Sequence, residues 1–242
     1  EDGCLKAYAP EEEYLSVSEA VEAILAEQQV AEWSSARIEK EDWNATWEAD
    51  FEPIAIDDLC TVRTPSHPVP EVGLDVLIVP KMSFGTGHHT TTALMSATIA
   101  AEDVAGKSGL DMGCGTGVLA IVVLKCGAER MVAVDIDDWA CDSCRDSIAL
   151  SGVEERVDVR CGSIDVVGDE KFDFILANIN RNILQMMMER FSAVLQSGGW
   201  IAMSGFLEED AEAVAQSAAE QGLKRVGQQM RDGWVVMVCK KQ

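Results

Sequence analysis

The sequence predicts an α/β fold built on a mostly parallel sheet, and three observations carry that expectation. Short, continuous apolar segments fall at Val76–Val79, Leu110–Met112, Met131–Val134, Val157–Val159, Phe174–Ala177 and Trp200–Ser204, the pattern of strands buried on both faces. Stretches of helical periodicity alternate with them, at Thr91–Ala101, Leu119–Cys126, Trp139–Leu150, Ile183–Leu195 and Glu208–Gln221. The last run, "LKRVGQQMRDGWVVMVCKK", departs from this alternation. Two extended segments meet there at Asp232-Gly233, a hairpin signal, so the sheet is expected to end in an antiparallel hairpin.

Ahead of the alternation the pattern is different. Apolar residues recur at helical spacing from Val17 to Ala26, with Ser16 or Ser18 as the expected cap. A short strand is expected at Ser35–Ile38. "EDWNATWEADFEPI" then places Trp43, Trp47 and Phe51 on one helical face as packing core, and Ile54–Val62 reads as extended. "TPSHPVPEVG", Thr64–Gly73, carries three prolines and reads as a linker. The expected organisation is a small N-terminal α/β domain over residues 1–62, a linker over 63–74, and a larger domain over 75–242. His67, set between prolines, is expected to be exposed and idle. The chain opens at Glu1 in acidic sequence without an initiator methionine, so preceding sequence is expected.

Composition narrows the function classes. With 242 residues, 48% of them hydrophobic and 25% charged, the chain can bury a sizeable core. No apolar run approaches the roughly 18 residues of a membrane span, so no membrane role is expected. The eight scattered cysteines suit free thiols in a reducing cytoplasm. The formal net charge of -23 repels phosphate backbones and argues against nucleic acid as a direct ligand. It would attract and steer a basic protein partner. The acid is concentrated: residues 1–60 hold 17 acidic against three basic side chains.

The chemistry-bearing motifs follow. "GLDMGCGTGVLAI" reads as a buried strand, a glycine turn and a helix, with Gly113, Gly115 and Gly117 letting a ligand lie against the backbone. The dinucleotide spacing would need glycine at Val118, and no Gly-Lys-Ser/Thr of a phosphate loop is present. About 20 residues on, the strand "MVAVDID" ends in Asp135, an acid placed to accept both hydroxyls of a ribose. Asp137 better suits a helix cap. A ribose-bearing cofactor without a pyrophosphate is therefore favoured, and S-adenosyl-L-methionine meets that description. In "DFILANINRNIL" a strand ends at Asn178, which puts an uncharged amide at the carboxyl edge of the sheet. A turn-forming or capping asparagine is the plainer alternative.

"MSFGTGHHTTTALM" holds two of the three histidines. Neighbouring residues point apart on a helix or strand, and no usual zinc spacing surrounds His88 and His89, so no metal is expected. Gly85 and Gly87 read as a tight loop over the cofactor. Thr90, Thr91 and Thr92 would start a helix whose hydroxyls and free N–H groups face it. Cys141-x-x-Cys144 lacks a second pair, Cys114 reads as a small buried residue, and the three methionines of "QMMMER" cannot share one helical face.

Taken together, "MSFGTGHHTTT", "DMGCGTGVLAI", "VAVDID", "LANINRNIL" and "GGWIAMSGFLEED" resemble the PrmA family, the bacterial methyltransferases of large-subunit ribosomal protein eleven. The resemblance runs from about Asp42 to the C-terminus. It implies a class I methyltransferase (Rossmann-like) domain with a seven-stranded sheet, joined to a small N-terminal domain that recognises the ribosomal protein. It also implies methylation of lysine side-chain and N-terminal amines. Carried over residue by residue, the cofactor contacts would be Thr92, Gly113, Asp135 and Asn178, with Gly115 in the same turn. The N-terminal domain reads as shorter than the family's. The expected chemistry is in-line displacement by an amine at a sulfonium methyl. A neutral amide such as Asn178 suits it, because a neighbouring carboxylate would hold the amine protonated. Asn178 is thus the expected catalytic, amine-positioning residue, and no general base is named. Alternative readings are a methyltransferase acting on another protein or a small molecule, or a non-catalytic ribosome-associated binding module.

Overall fold

The computed structural model describes residues 11–28, 30, 34–35, 51–79 and 85–242. The chain forms two compact units, Glu1–Asp42 and Trp43–Gln242. The first contains helix α1 (Glu11–Glu27). It starts upstream of the expected Val17, so Ser16 and Ser18 lie inside it rather than at its cap. Ser35 is not in a strand, and the rest of the Ser35–Ile38 expectation lies outside the described residues. So do Trp43 and Trp47, whereas Phe51 is buried in a non-helical stretch.

In the second unit, β1 (Ile54–Ile56) and β2 (Cys60–Arg63) form an antiparallel hairpin, where the sequence suggested one extended segment. The turn between them is made at Asp57, whose φ is +46°. Strand β3 (Leu74–Leu77) pairs parallel with β2. It belongs to this three-stranded sheet and not to the main one, contrary to the reading of Val76–Val79. The proline-bearing Thr64–Gly73 stretch thus connects two strands of one sheet, and the boundary expected at 63–74 falls inside the second compact unit. The stretch is braced by the buried Arg63. Its guanidinium holds Asp75 through two bonds (2.7 and 2.8 Å) and donates to the carbonyls of Thr64 and His67. Two-point guanidinium–carboxylate pairing of this kind adds geometric definition to the charge attraction. His67 is half-buried, its Nδ1 2.8 Å from Thr64 Oγ1, so the expectation of an idle ring fails.

The main sheet is formed by β4 (Ser108–Met112), β5 (Arg130–Asp135), β6 (Val157–Cys161), β7 (Phe172–Asn178), β8 (Leu195–Leu207), β9 (Leu223–Arg231) and β10 (Trp234–Lys241). Their order is β6-β5-β4-β7-β8-β10-β9. The first five in that order pair parallel, while β10 is antiparallel to both β8 and β9. Asp232 and Gly233 both have positive φ, +53° and +79°, which is the mirror-type turn that an Asp-Gly pair encodes.

Helices α2 (Thr90–Ala101), α3 (Val118–Lys125) and α4 (Asp138–Leu150) cover one face through Leu94, Met95, Ile99 and Ile148 and the whole run Val118–Leu124. Helix α3 is apolar all round because it is enclosed on every side. Helices α5 (Arg181–Val194) and α6 (Ala211–Glu220) cover the other through Leu184, Met188, Phe191 and Val214. Full burial of a side chain such as Phe191 contributes about 1.5–3 kcal/mol. Of the three consecutive methionines, Met188 is buried and Met186 exposed, as helical geometry requires. Ser143 and Ser147 of α4 and its C-cap Ser151, spaced four residues apart, hydrogen-bond the backbone of Val79 and Leu77. They dock the small sheet's last strand onto the main layer.

Candidate active site

Strand order reverses between β4 and β7: the chain winds outward through β5 and β6, then returns to β7 on the other side of β4. Open α/β sheets bind ligands in the crevice at such a point, outside the carboxyl ends of the strands. Gly113 follows β4, Asp135 ends β5 and Asn178 ends β7. The structure therefore brings these three, with Gly115, to one edge.

The glycine turn is held from β5. The N–H groups of Gly113 and Cys114 both donate to the Val134 carbonyl, at 2.8 and 3.0 Å. Gly113, Gly115 and Gly117 have φ of +78°, +52° and +80°. Such values favour glycine. At Gly113 the missing side chain is also a matter of space, since a Cβ would lie 2.2 Å from Ile179 Cγ2. Cys114 is buried, as expected, and its interaction with the Cys144 thiol, followed by burial, pushes its own thiol up.

Asp135 is half-buried. One carboxylate oxygen accepts from Gly115 N–H (2.9 Å) and the other from Asp137 N–H (3.1 Å). A carboxylate has about four acceptor positions, so each oxygen keeps capacity for a ligand hydroxyl. Asp137 caps α4 through Trp139 N–H at 2.8 Å. The two asparagines of "NIN" divide their roles likewise. Asn180 caps α5 through Ile183 N–H, at 3.1 Å. Asn178 is half-buried at the strand end opposite Ser204, and among the described residues its amide makes no hydrogen bond.

Gly85 lies on the glycine turn, where Thr116 Oγ1 donates to the Gly85 carbonyl at 2.5 Å, while Gly87 packs against Ile54 and Val62. Helix α2 then begins. Its cap is His89, whose Nδ1 accepts from Thr91 N–H at 3.3 Å, and not one of the threonine hydroxyls. The His89 ring meets Trp234 edge-on at 4.5 Å, and His88 meets Phe51 at 5.2 Å. Thr92 is buried in the first turn of α2, with its N–H bonded to the His89 carbonyl at 2.9 Å.

Two features escaped the sequence reading. Asp111 lies in β4, two residues before the glycine turn, fully buried, and neither carboxylate oxygen closes a hydrogen bond. Burial raises it to about 7. The Ala120 N–H, in the first turn of α3, opposes that rise without making a proper bond, and the charge of Asp135 adds to it. An acid inside the otherwise apolar "GLDM" was the available signal. Ile136, 78% exposed directly after Asp135, is the second, and its signal was one apolar residue between two aspartates. The described surface depressions, of about 440 and 800 Å³, are lined by residues of α6 and β9 instead, three strands from β7.

Comparison with known proteins gives a consistent picture. The family described as ribosomal protein L11 methyltransferase (PrmA) matches residues 1–242. A ribosomal protein L11 methyltransferase of Porphyromonas gingivalis is 39% identical, the match covering 97% of this chain and 82% of that protein. One of Bacteroides fragilis is 39% identical over 85% of this chain and 74% of its own length. Among solved structures, a ribosomal protein L11 methylase from Lactobacillus delbrueckii subsp. bulgaricus superimposes with a TM-score of 0.73 at 25% identity, covering 79% of this chain and all of that one. A putative RNA methyltransferase from Pyrococcus horikoshii, 16% identical with a TM-score of 0.55, shares the fold alone.

Proposed function

Because the chain belongs to the ribosomal protein L11 methyltransferase family, we propose that it is an S-adenosylmethionine-dependent protein methyltransferase acting on ribosomal protein L11. The observation that carries this reading is the amide of Asn178, unengaged among the described residues, at the switch point beside a glycine turn and a ribose-competent acid. The residues fit the cofactor. The glycine turn exposes backbone, Asp135 retains acceptor capacity, and the orphaned Asp111 carboxylate suits the neighbourhood of a cationic group. Bound there, S-adenosylmethionine supplies a methyl group activated by its sulfonium.

The roles of this chain's residues follow from their environments. Asp135 would accept the ribose hydroxyls and Ile136 would cover an apolar ring face. Gly113 and Gly115 would lie along the methionyl portion, and Thr92 would contact the cofactor from α2. Asn178 would accept a hydrogen bond from the substrate amine and align it. A free lysine holds its proton up to about pH 10.4. An amide, unlike a carboxylate, adds no charge that would hold the proton more firmly. Lysine side-chain and N-terminal amines are accordingly the proposed acceptors. Recognition of the basic ribosomal protein is proposed to involve the acidic N-terminal residues, in the cytoplasm.

Transfer of labelled methyl from the cofactor to purified ribosomal proteins tests the reading. L11 should be labelled, and the Asn178→Ala variant should lose most turnover while keeping its fold by circular dichroism. Label on other proteins or on small molecules only would favour a different acceptor. Cofactor binding with no transfer at all would favour a binding module.

A further inference from the structure

One glycine of β8 lies where the strand has no turn to make. Gly205 has a φ of +92° and stands between the buried Ser204 and Phe206. A Cβ there would fall 2.5 Å from the carbonyl oxygen of Ile179, 2.7 Å from its carbon and 3.0 Å from its nitrogen. These are backbone atoms, which cannot swing aside as a side-chain end can. The opposite side of Ile179 is bounded by Gly113, where Ile179 Cγ2 takes the space of a Cβ. The Ile179 N–H donates to the Ser204 carbonyl at 3.1 Å, and the Ser204 hydroxyl donates to the Val235 carbonyl at 2.6 Å. Ile179, directly after Asn178, is thus held in a slot with a glycine on each side, its backbone against Gly205 and its side chain against Gly113, and β10 pins one wall.

We propose that Gly205 is a positioning residue for methyl transfer: by carrying no Cβ, it lets the Ile179 backbone seat against β8 and so sets where the amide of the preceding Asn178 meets the acceptor amine. The proposal rests on the methyltransferase reading of Asn178. Its consequence is selective. Asp135 and the backbone groups that hold the glycine turn come from β4 and β5, on the other side of β7 from β8. A methyl group at 205 would displace Asn178 while leaving the ribose acid in place. A displacement on the order of 1 Å in a reacting geometry can cost about a hundredfold in rate.

Gly205→Ala is the test, with Ile179→Ala as its companion because the backbone at 205 is strained for alanine. Gly205→Ala should lower kcat for L11 methylation about a hundredfold, change S-adenosylhomocysteine affinity by calorimetry far less than kcat, and add nothing to Asn178→Ala. Wild-type kcat in a folded Gly205→Ala protein, or a loss that adds fully to that of Asn178→Ala, overturns the proposal. If Gly205→Ala does not fold, Ile179→Ala decides. It frees the peptide from the Gly113 wall, so kcat should fall with the same non-additivity, and wild-type kcat overturns the slot. Nitrogen-15 NMR reads the slot without catalysis. In whichever variant folds, the Asn178 side-chain amide resonance should shift while the Asp135 backbone resonance stays, and an unmoved Asn178 resonance overturns the proposal. Absence of methyl transfer by the wild type would sink the functional reading and leave the NMR test of the slot standing.

Discussion

Asp111 is the residue whose chemistry is most displaced by its surroundings. Burial in β4, without a bonded partner, raises its carboxyl to about 7. An unfolded aspartate titrates near 3.9. Between about pH 4 and 7 the folded chain therefore holds a proton that the unfolded chain has released. That contribution to stability is fully present at the acid end and is lost as pH rises through 7. In the ligand-free protein, the difference in melting temperature between wild type and Asp111→Asn should favour the wild type more at pH 5 than at pH 7.5. Parallel melting curves across that range would refute the assignment. For Asp135, the expectation is weaker cofactor binding in Asp135→Ala, read by calorimetry. Asp135 was legible because an acid ending the strand after a glycine turn is a spacing signal. Asp111 was not, because its meaning depends on two oxygens being left without partners.

The start of α2 illustrates the scale of the element. The three consecutive threonines suggested hydroxyl caps, yet His89 caps the helix and also touches Trp234 of β10. Loss of a side-chain cap costs about 1 kcal/mol. His89→Ala should lower stability by about that amount in urea unfolding. His89→Asn, which restores an acceptor, should recover most of it. Equal losses in both variants would show that the Trp234 contact matters and the cap does not. The asparagines of "NIN" could be named from sequence, but only the helix boundary shows that Asn180 is the cap and that Asn178 is left for other work. The serines at 143, 147 and 151 bond Leu77 and Val79, a segment whose apolar pattern suggests a strand of the main sheet, yet β3 pairs in the small one.

At the scale of the whole molecule, charge is the property that sequence sets directly. A net charge of -23 should speed encounter with a basic protein at low salt. Stopped-flow association with L11 should slow steeply as ionic strength rises past about 0.1 M, where charges more than about 10 Å apart are screened. An on-rate indifferent to salt would remove steering. Among the described residues no helix is long and apolar enough to cross a membrane.

The strand–helix alternation, the antiparallel ending at Asp232-Gly233 and the places of Gly113, Asp135 and Asn178 at strand ends were all determined by the sequence alone. Each depends on local spacing, and spacing is written along the chain. Tertiary structure decided that β7 lies beside β4, so that Asn178 and the glycine turn share an edge. It decided too that Thr64–Gly73 closes a small sheet, and that Gly205 must lack a side chain because the Ile179 peptide occupies its place. These are contacts between residues far apart in sequence. No period or spacing encodes them, and only the packed chain shows which atoms compete for the same volume.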